Sequence, residues 1–256
     1  RDWSSDVCSS DLGITLNATP TNLEWEGNLS GVKGLTQGSG FEFDPYILVQ
    51  RDTATHGDKS KAGFDLKYNF TPETAGLFTY HTDFAEAEAN TLQANISRFS
   101  LLIPETRAFF LDGSNVFTFS HNLSSEFIPF YSRNVGLNNN GETVPLDEGV
   151  KLLGQGNSLS FGALETRMAA TDASSPTNLF AGRAAFNIDD EWRAGALVTR
   201  GDPLGRSSNT LTSFDSTWST SHLDGDKNLN LAAWAGRSTG DIAVGNRNGY
   251  GFDIEY

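Results

Sequence analysis

From about residue 147 to the end of the chain, apolar and polar residues alternate along segments of roughly eight to twelve residues. A period of two is the period of a β-strand, whose successive side chains point to opposite faces. The last segment is the plainest. Tyr250, Phe252, Ile254 and Tyr256 share one face, and Gly251, Asp253 and Glu255 share the other. Over 180–188, Phe180, Gly182, Ala184, Phe186 and Ile188 oppose Ala181, Arg183, Ala185 and Asn187. Over 192–200, Trp192, Ala194, Ala196 and Val198 oppose Arg193, Gly195, Leu197 and Thr199. Turn residues cut these segments apart. The connections at 154–157 and 188–191 are short, whereas 169–177, 200–210 and 237–248 are longer and polar. Upstream, residues 13–146 are less regular. They hold strand candidates at 41–50, 62–69 and 76–80 and then a Phe-rich stretch. Residues 84–92 combine good helix formers with a spacing that equally permits a strand or a loop.

The pattern predicts an all-β chain of about ten antiparallel strands. Strands of this length suit a bilayer, and short turns alternating with long loops are the asymmetry of an outer-membrane barrel. A charged side chain costs about 2–4 kcal/mol on the lipid face at the bilayer midplane. Arg183 and Arg193 fall on the face opposite the aromatic rings, where that cost is avoided. The expected lipid-facing set is therefore Phe180, Phe186, Trp192, Val198, Tyr250, Phe252 and Ile254. Two segments fit poorly. Leu159, Phe161, Ala163, Glu165 and Arg167 put two charges on one apolar parity, and Thr212, Phe214, Ser216 and Trp218 form a weak lipid face. A place near the bilayer rim or a bulge would reconcile either. A soluble antiparallel sheet with one wet face alternates in the same way, so periodicity alone leaves both solvents open.

Composition narrows the classes. A chain of 256 residues with 38% hydrophobic content can bury a core without disulfide staples. No apolar run reaches the length of a transmembrane helix, and no heptad persists. A formal charge of −14 argues against a nucleic-acid partner. Residues 1–12, Arg-Asp-Trp-Ser-Ser-Asp-Val-Cys-Ser-Ser-Asp-Leu, look like the translation of a sequencing-library adapter and are set aside from fold reasoning. With them goes the single cysteine, Cys8, leaving no disulfide, thiolate nucleophile or Cys metal site.

A resemblance enters in the middle of the chain. Asp65-Leu66-Lys67-Tyr68-Asn69-Phe70-Thr71-Pro72 is followed by Asp83-Phe84-Ala85-Glu86-Ala87-Glu88-Ala89 and Asn95-Ile96-Ser97-Arg98-Phe99. Ile103-Pro104-Glu105-Thr106-Arg107-Ala108-Phe109-Phe110-Leu111-Asp112-Gly113 and Phe130-Tyr131-Ser132-Arg133-Asn134-Val135-Gly136 continue it. Together, and with weaker similarity over roughly 22–256, these resemble the bacterial family called domain of unknown function 5916. Thr106, Ala108, Asp112 and Thr82 depart from its usual Lys, Pro, Glu and Pro, which puts a fixed role for position 106 in doubt. The resemblance implies an outer-membrane β-barrel region of a Gram-negative bacterium, usually preceded by a signal peptide and a family 9 carbohydrate-binding-like module. Outer-membrane lipid is then the expected partner, and glycans a further one. It implies no reaction. The family's barrel continues beyond the position of Tyr256, so truncation is expected there, although the alternating aromatics also imitate a barrel's terminal strand.

The chain is thus expected to be an antiparallel partial transmembrane β-barrel. It comprises the adapter string (1–12), an N-terminal part with the motif segment (13–146) and regular strands (147–256). An irregular segment packs on or inside the wall, and an incomplete set of strands leaves the sheet open. Asp83, Glu86, Glu88, Arg98, Glu105, Arg107, Asp112, Arg133, Arg183 and Arg193 are the candidate lumenal polar network. They serve either as salt bridges that hold the irregular segment or as a charged constriction. Catalysis by a carboxylate pair, as in a glycoside hydrolase, is a third reading, and a soluble periplasmic carbohydrate-binding protein a fourth. Phe99, Phe109, Phe110, Phe117 and Phe119 are expected to pack in a core or girdle rather than to stack on sugars. His56, His81, His121 and His222 lack metal-ligand spacing, and neither a G-x-S-x-G nor a P-loop is present. No cofactor and no catalytic residue are expected.

Overall fold

The computed structural model describes residues 40–52, 57–81, 105–120, 127–137, 144–170, 175–203, 209–225, 227–240 and 247–256. They form one antiparallel sheet of ten strands in chain order. These are β1 (Phe41–Asp52), β2 (Gly57–Thr71), β3 (Thr74–Tyr80), β4 (Leu146–Gln155), β5 (Leu159–Met168), β6 (Thr177–Asn187), β7 (Trp192–Arg200), β8 (Asn209–Leu223), β9 (Lys227–Gly240) and β10 (Asn248–Glu255). Each strand pairs with its neighbours in sequence. β1 pairs only with β2 and β10 only with β9, so the sheet is open. Among the described residues helix is confined to single turns: α1 (Ala108–Leu111) and two 3-10 turns, Ser114–Phe117 and Ser132–Asn134. No described helix is long and apolar enough to cross a membrane.

The alternation in sequence becomes an exposed face and a covered one. On the outer face Phe41, Phe43, Ile47, Val150, Phe186, Trp192, Phe214, Phe252 and Ile254 stand exposed, and Tyr250 is 84% accessible. Register carries this face from β1 to β6 in one row. Tyr68 pairs with Phe41 and Gly76, Gly76 with Leu152, Leu152 with Ala163, and Ala163 with Gly182. The inner face is buried and mixed in character. Thr79, Lys151, Thr166, Arg183, Ser213 and Asp215 are inside, beside Leu77, Leu153, Leu164, Leu179, Ala181 and Leu197. A water-soluble sheet confines its large apolar side chains to the covered face, whereas here they stand on both faces.

What covers the inner face is the inner segment, described over 105–120 and 127–137. Phe109, Phe110, Val116, Phe117 and Val135 join Leu77, Leu146, Leu153, Leu164, Met168 and Leu179 in a single core cluster. Glycines of the wall make room for its rings. A Cβ on Gly149 would lie 3.0 Å from Phe109, one on Gly162 2.8 Å from Phe117, and one on Gly236 2.9 Å from Phe127. Phe127 also stacks on Trp234 of β9, ring centroids 4.1 Å apart. The segment therefore meets the wall at β4, β5 and β9 through ring-in-socket contacts that no larger inner residue would permit.

Strand candidates at 41–50, 62–69 and 76–80 are present as β1, β2 and β3, within the same sheet as the later strands. β2, β8 and β9 run to 15, 15 and 14 residues, longer than expected. Two hairpins outreach their neighbours: β1–β2 stays paired to Asp52↔Gly57 and β8–β9 to Leu223↔Lys227. The β8–β9 turn is built on positive φ at Asp224 (49°) and Gly225 (107°), a conformation those two residue types accept best. β5 has no bulge at Glu165 or Arg167. Both lie on the outer face toward the end of the strand that meets the long connections. Bulges occur instead near Asn69, Leu146 and Thr220. The helix-or-loop candidate at 84–92 and the string 1–12 lie outside the described residues.

Candidate functional site: a polar network between the wall and the inner segment

Three clusters bind the inner segment to itself and to the wall. The first lies within the segment. The Arg107 guanidinium donates to both carboxylate oxygens of Glu105, at 2.8 and 2.7 Å, a fork-to-fork geometry. Its remaining N–H groups reach the carbonyls of Val135 and Ser132, both at 2.7 Å. The Ser132 hydroxyl and the backbone N–H of Arg107 also donate to Glu105, and Arg133 stands 3.9 Å away. One ion pair thus ties the start of the segment to its end. Burial alone would raise the Glu105 carboxyl. The Arg107 hydrogen bonds and charge, with Ser132, outweigh it and hold the group at about 2. A carboxylate so held stays ionised at neutral pH and is a poor general acid. Arg107 also lies over the Phe110 ring, 4.1 Å from its centroid.

The second cluster fastens α1. Lys151 points inward from β4, between the outward Val150 and Leu152, and is 1% exposed. Its ammonium donates to the Phe109 carbonyl and, at 2.6 Å, to the Asp112 carbonyl. It thereby satisfies acceptors that the short helix leaves open at its C-terminal end. Lys67 of β2 pairs with the Asp112 carboxylate. The third cluster crosses the wall. Arg183 of β6 grips Asp215 of β8 through two hydrogen bonds of 2.8 and 2.7 Å, over the intervening strand. The same carboxylate accepts the backbone N–H of Ser120 at 3.0 Å, and Phe119 lies against the guanidinium. Each buried charge therefore has a partner, as desolvation demands.

The structure brings together Glu105, Arg107 and Arg133, and places Asp112 and Arg183 in separate clusters of the same interface. Arg193 is inward but exposed, 3.3 Å from the Ser160 hydroxyl. Asp83, Glu86, Glu88 and Arg98 lie outside the described residues. Phe180, Phe186, Trp192, Val198, Tyr250, Phe252 and Ile254 all lie on the outer face. Lys67, Lys151 and Asp215 were not singled out from sequence. The parity of Val150 and Phe214 carries the signal for the last two, since each follows or precedes an outward apolar residue. Among the described residues no group of three or more His, Cys, Asp or Glu is placed to hold a metal.

At the end that meets the long connections, a cavity of about 350 Å³ opens between the inner segment and β6–β9. Phe130 and Tyr131 line it together with Asn134, Asp202, Asn209 and Ser238. No protein-family model, no curated protein and no solved structure matches the chain.

Proposed function

We propose that the chain forms part of the wall of an outer-membrane β-barrel of a Gram-negative bacterium, with residues 105–120 and 127–137 packed against its lumenal face, and that it serves as a channel or surface receptor for solutes. The observation that carries this reading is the uncovered apolar face of the sheet, opposite a covered face that encloses ion pairs. Leaving one large apolar side chain in water rather than buried forgoes about 1.5–3 kcal/mol. The outer face repeats that cost at Phe41, Phe43, Ile47, Phe186, Phe214, Tyr250, Phe252 and Ile254, among others. An apolar solvent removes it. A soluble sandwich would lay a second protein layer there, and none covers the face among the described residues. Outward charges in β4–β9 agree with a bilayer of finite thickness. Glu148, Glu165, Arg167, Arg200 and Arg237 sit toward the long connections and Lys227 at the β8–β9 turn, and mid-strand outward positions carry none.

The cavity at the same end supports a receptor or uptake role. Three aromatic side chains, Phe130, Tyr131 and Phe180, beside amide, carboxylate, guanidinium and hydroxyl groups suit a hydroxyl-rich solute, and a glycan is the class that fits.

Tryptophan quenching in vesicles tests the membrane reading. Trp192 is outward and Trp234 inward, stacked on Phe127. In single-tryptophan variants, lipids brominated along the acyl chain should quench Trp192 strongly and Trp234 little. Equal quenching, or protection of both by a water-soluble chain, would overturn the assignment.

A further inference from the structure

Resting on the receptor reading, we infer that Arg107 is a positioning residue for the solute cavity, and that filling the cavity and seating the inner segment are one linked equilibrium. The cavity has two walls of separate origin. Thr199, Asn209 and Ser238 line it from β7, β8 and β9, and Tyr131, Asn134 and Val135 line it from the inner segment. At about 350 Å³ it lies within the range of small-ligand pockets, so a sugar that fills it touches both walls.

The sheet fixes one wall. The Ser238 hydroxyl donates to the Asn209 side chain at 2.7 Å, and the Asn209 carbonyl accepts the Gly201 N–H at 2.8 Å. The other wall has little support of its own. Tyr131, Asn134 and Val135 belong to the 3-10 turn Ser132–Asn134 and its two flanking residues, and no side chain caps that turn. Its internal hydrogen bonds run from the Asn134 N–H to the Tyr131 carbonyl, 3.1 Å, and from the Val135 N–H to the Ser132 carbonyl, 2.9 Å. A lone turn of this kind does not hold its shape by itself. Arg107 holds it from outside. The guanidinium grips the Ser132 and Val135 carbonyls, each at 2.7 Å, on either side of Asn134 and next to Tyr131. Glu105 locks the guanidinium through its two carboxylate oxygens. Arg107 is buried and outside the cavity lining, so it acts on a solute only through where it holds Tyr131 and Asn134.

Phe130 joins the same wall to the sheet. It lines the cavity and packs on Phe117, ring centroids 5.5 Å apart, and Phe117 stands over Gly162 of β5. A segment that leaves this socket carries Phe130, Tyr131 and Asn134 away from β7–β9 and opens the cavity. A sugar held between both walls therefore binds the seated segment and not the displaced one. By mass action it favours the seated state by one plus the ratio of its concentration to its dissociation constant. The coupling is reciprocal, so whatever loosens the turn weakens the sugar.

The test uses the chain in vesicles with cellohexaose, xylohexaose, maltohexaose and hexagalacturonate, and takes the tightest binder of the four into limited proteolysis. At about thirty times its dissociation constant that sugar should slow cleavage of the inner segment about thirtyfold. Arg107→Lys keeps the charge and loses the fork. It should weaken the sugar about tenfold, the worth of one charge-assisted hydrogen bond. Raising the sugar by the same factor should then restore the parent's protection, a rescue that a merely misfolded segment would not show. If Arg107→Lys does not insert, protection of the parent chain alone decides the linkage. A sugar that binds and leaves cleavage unchanged refutes the linkage while the receptor reading stands. An Arg107→Lys affinity equal to the parent's likewise removes the positioning role alone. If none of the four binds a chain whose Trp192 is quenched by lipid, the receptor reading falls and the linkage with it.

Discussion

A carboxylate enclosed with a guanidinium titrates far from its behaviour in water, and Glu105 is such a group. Its usual value near 4.5 falls to about 2 because Arg107 and Ser132 favour the charged form more than burial opposes it. A group depressed on folding stabilises the fold above its unfolded value and loses that contribution as pH falls through the folded one. The window here is pH 4.5 down to 2, and the full contribution is on the order of 3 kcal/mol. The inner segment should lose protease resistance across that window. Other carboxylates titrate nearby, so the comparison with Glu105→Gln is decisive: the variant should be weaker at neutral pH and flatter between 4.5 and 2. Identical profiles would refute the role of Glu105 as the tie between the two ends of the segment. Sequence made this cluster legible, since Glu105, Arg107 and Arg133 are rich in charge where the surroundings are rich in Phe. It left Lys151 and Asp215 unremarked. Lys151 interrupts an apolar run, and Asp215 lies in a stretch of Ser and Thr that reads as surface. Strand parity is what places both inside, and their partners come from 109–112 and from Arg183, which no local pattern connects to them.

At the scale of elements, strand existence was readable and the seating of the inner segment was not. Tyr250 to Tyr256 alternates so regularly that one face can be written down from sequence, and β10 realises it. Glu165 and Arg167 break the rule for β5, and the rule is restored by position along the strand, since both sit at its loop end. Depth is a property of ten registered strands together, so a single segment does not reveal it. The sockets have the same non-local origin. Gly149, Gly162 and Gly236 read in sequence as strand-weakening residues, whereas in the fold they receive Phe109, Phe117 and Phe127. Filling one socket tests this. Gly162→Val puts a branched side chain where Phe117 and Val116 already stand, and overpacking of this kind costs about 1–3 kcal/mol. The expected result is faster proteolysis of 105–137 with the sheet's circular dichroism retained, and recovery on pairing with Phe117→Ala. A Gly162→Val chain as resistant as the parent, or one not rescued by the second change, would show that the socket does not hold the segment.

On the proposed membrane reading the whole molecule is organised by two solvents, and that organisation decides how a single charge should behave at neighbouring positions. Ala196 lies in the outward row with Phe161, Ala184 and Phe214, deep in the apolar band. Val198 is one row nearer the loops and adjacent to the level of Arg200. Thr199 points inward, where Arg183 and Arg193 are already accommodated. If the outer solvent is hydrocarbon, an arginine costs about 2–4 kcal/mol at mid-depth and falls toward 0–1 at the interface. The fraction of chain that inserts into vesicles and migrates in a heat-modifiable form should therefore drop most for Ala196→Arg, less for Val198→Arg and least for Thr199→Arg. Ala196→Met, which adds bulk without charge, should insert nearly as the parent does and separates polarity from size. If the outer solvent were water, the order would invert. An exposed arginine at 196 or 198 would then be harmless, and Thr199→Arg, crowding the side that faces the inner segment, would be the damaging change. The three substitutions lie within four residues of one strand, so they share its turn, its hydrogen-bond ladder and its distance from the open edges. Only facing and depth differ among them, which ties the ranking to the polarity of the medium on each side of β7 rather than to the general fragility of an unclosed sheet.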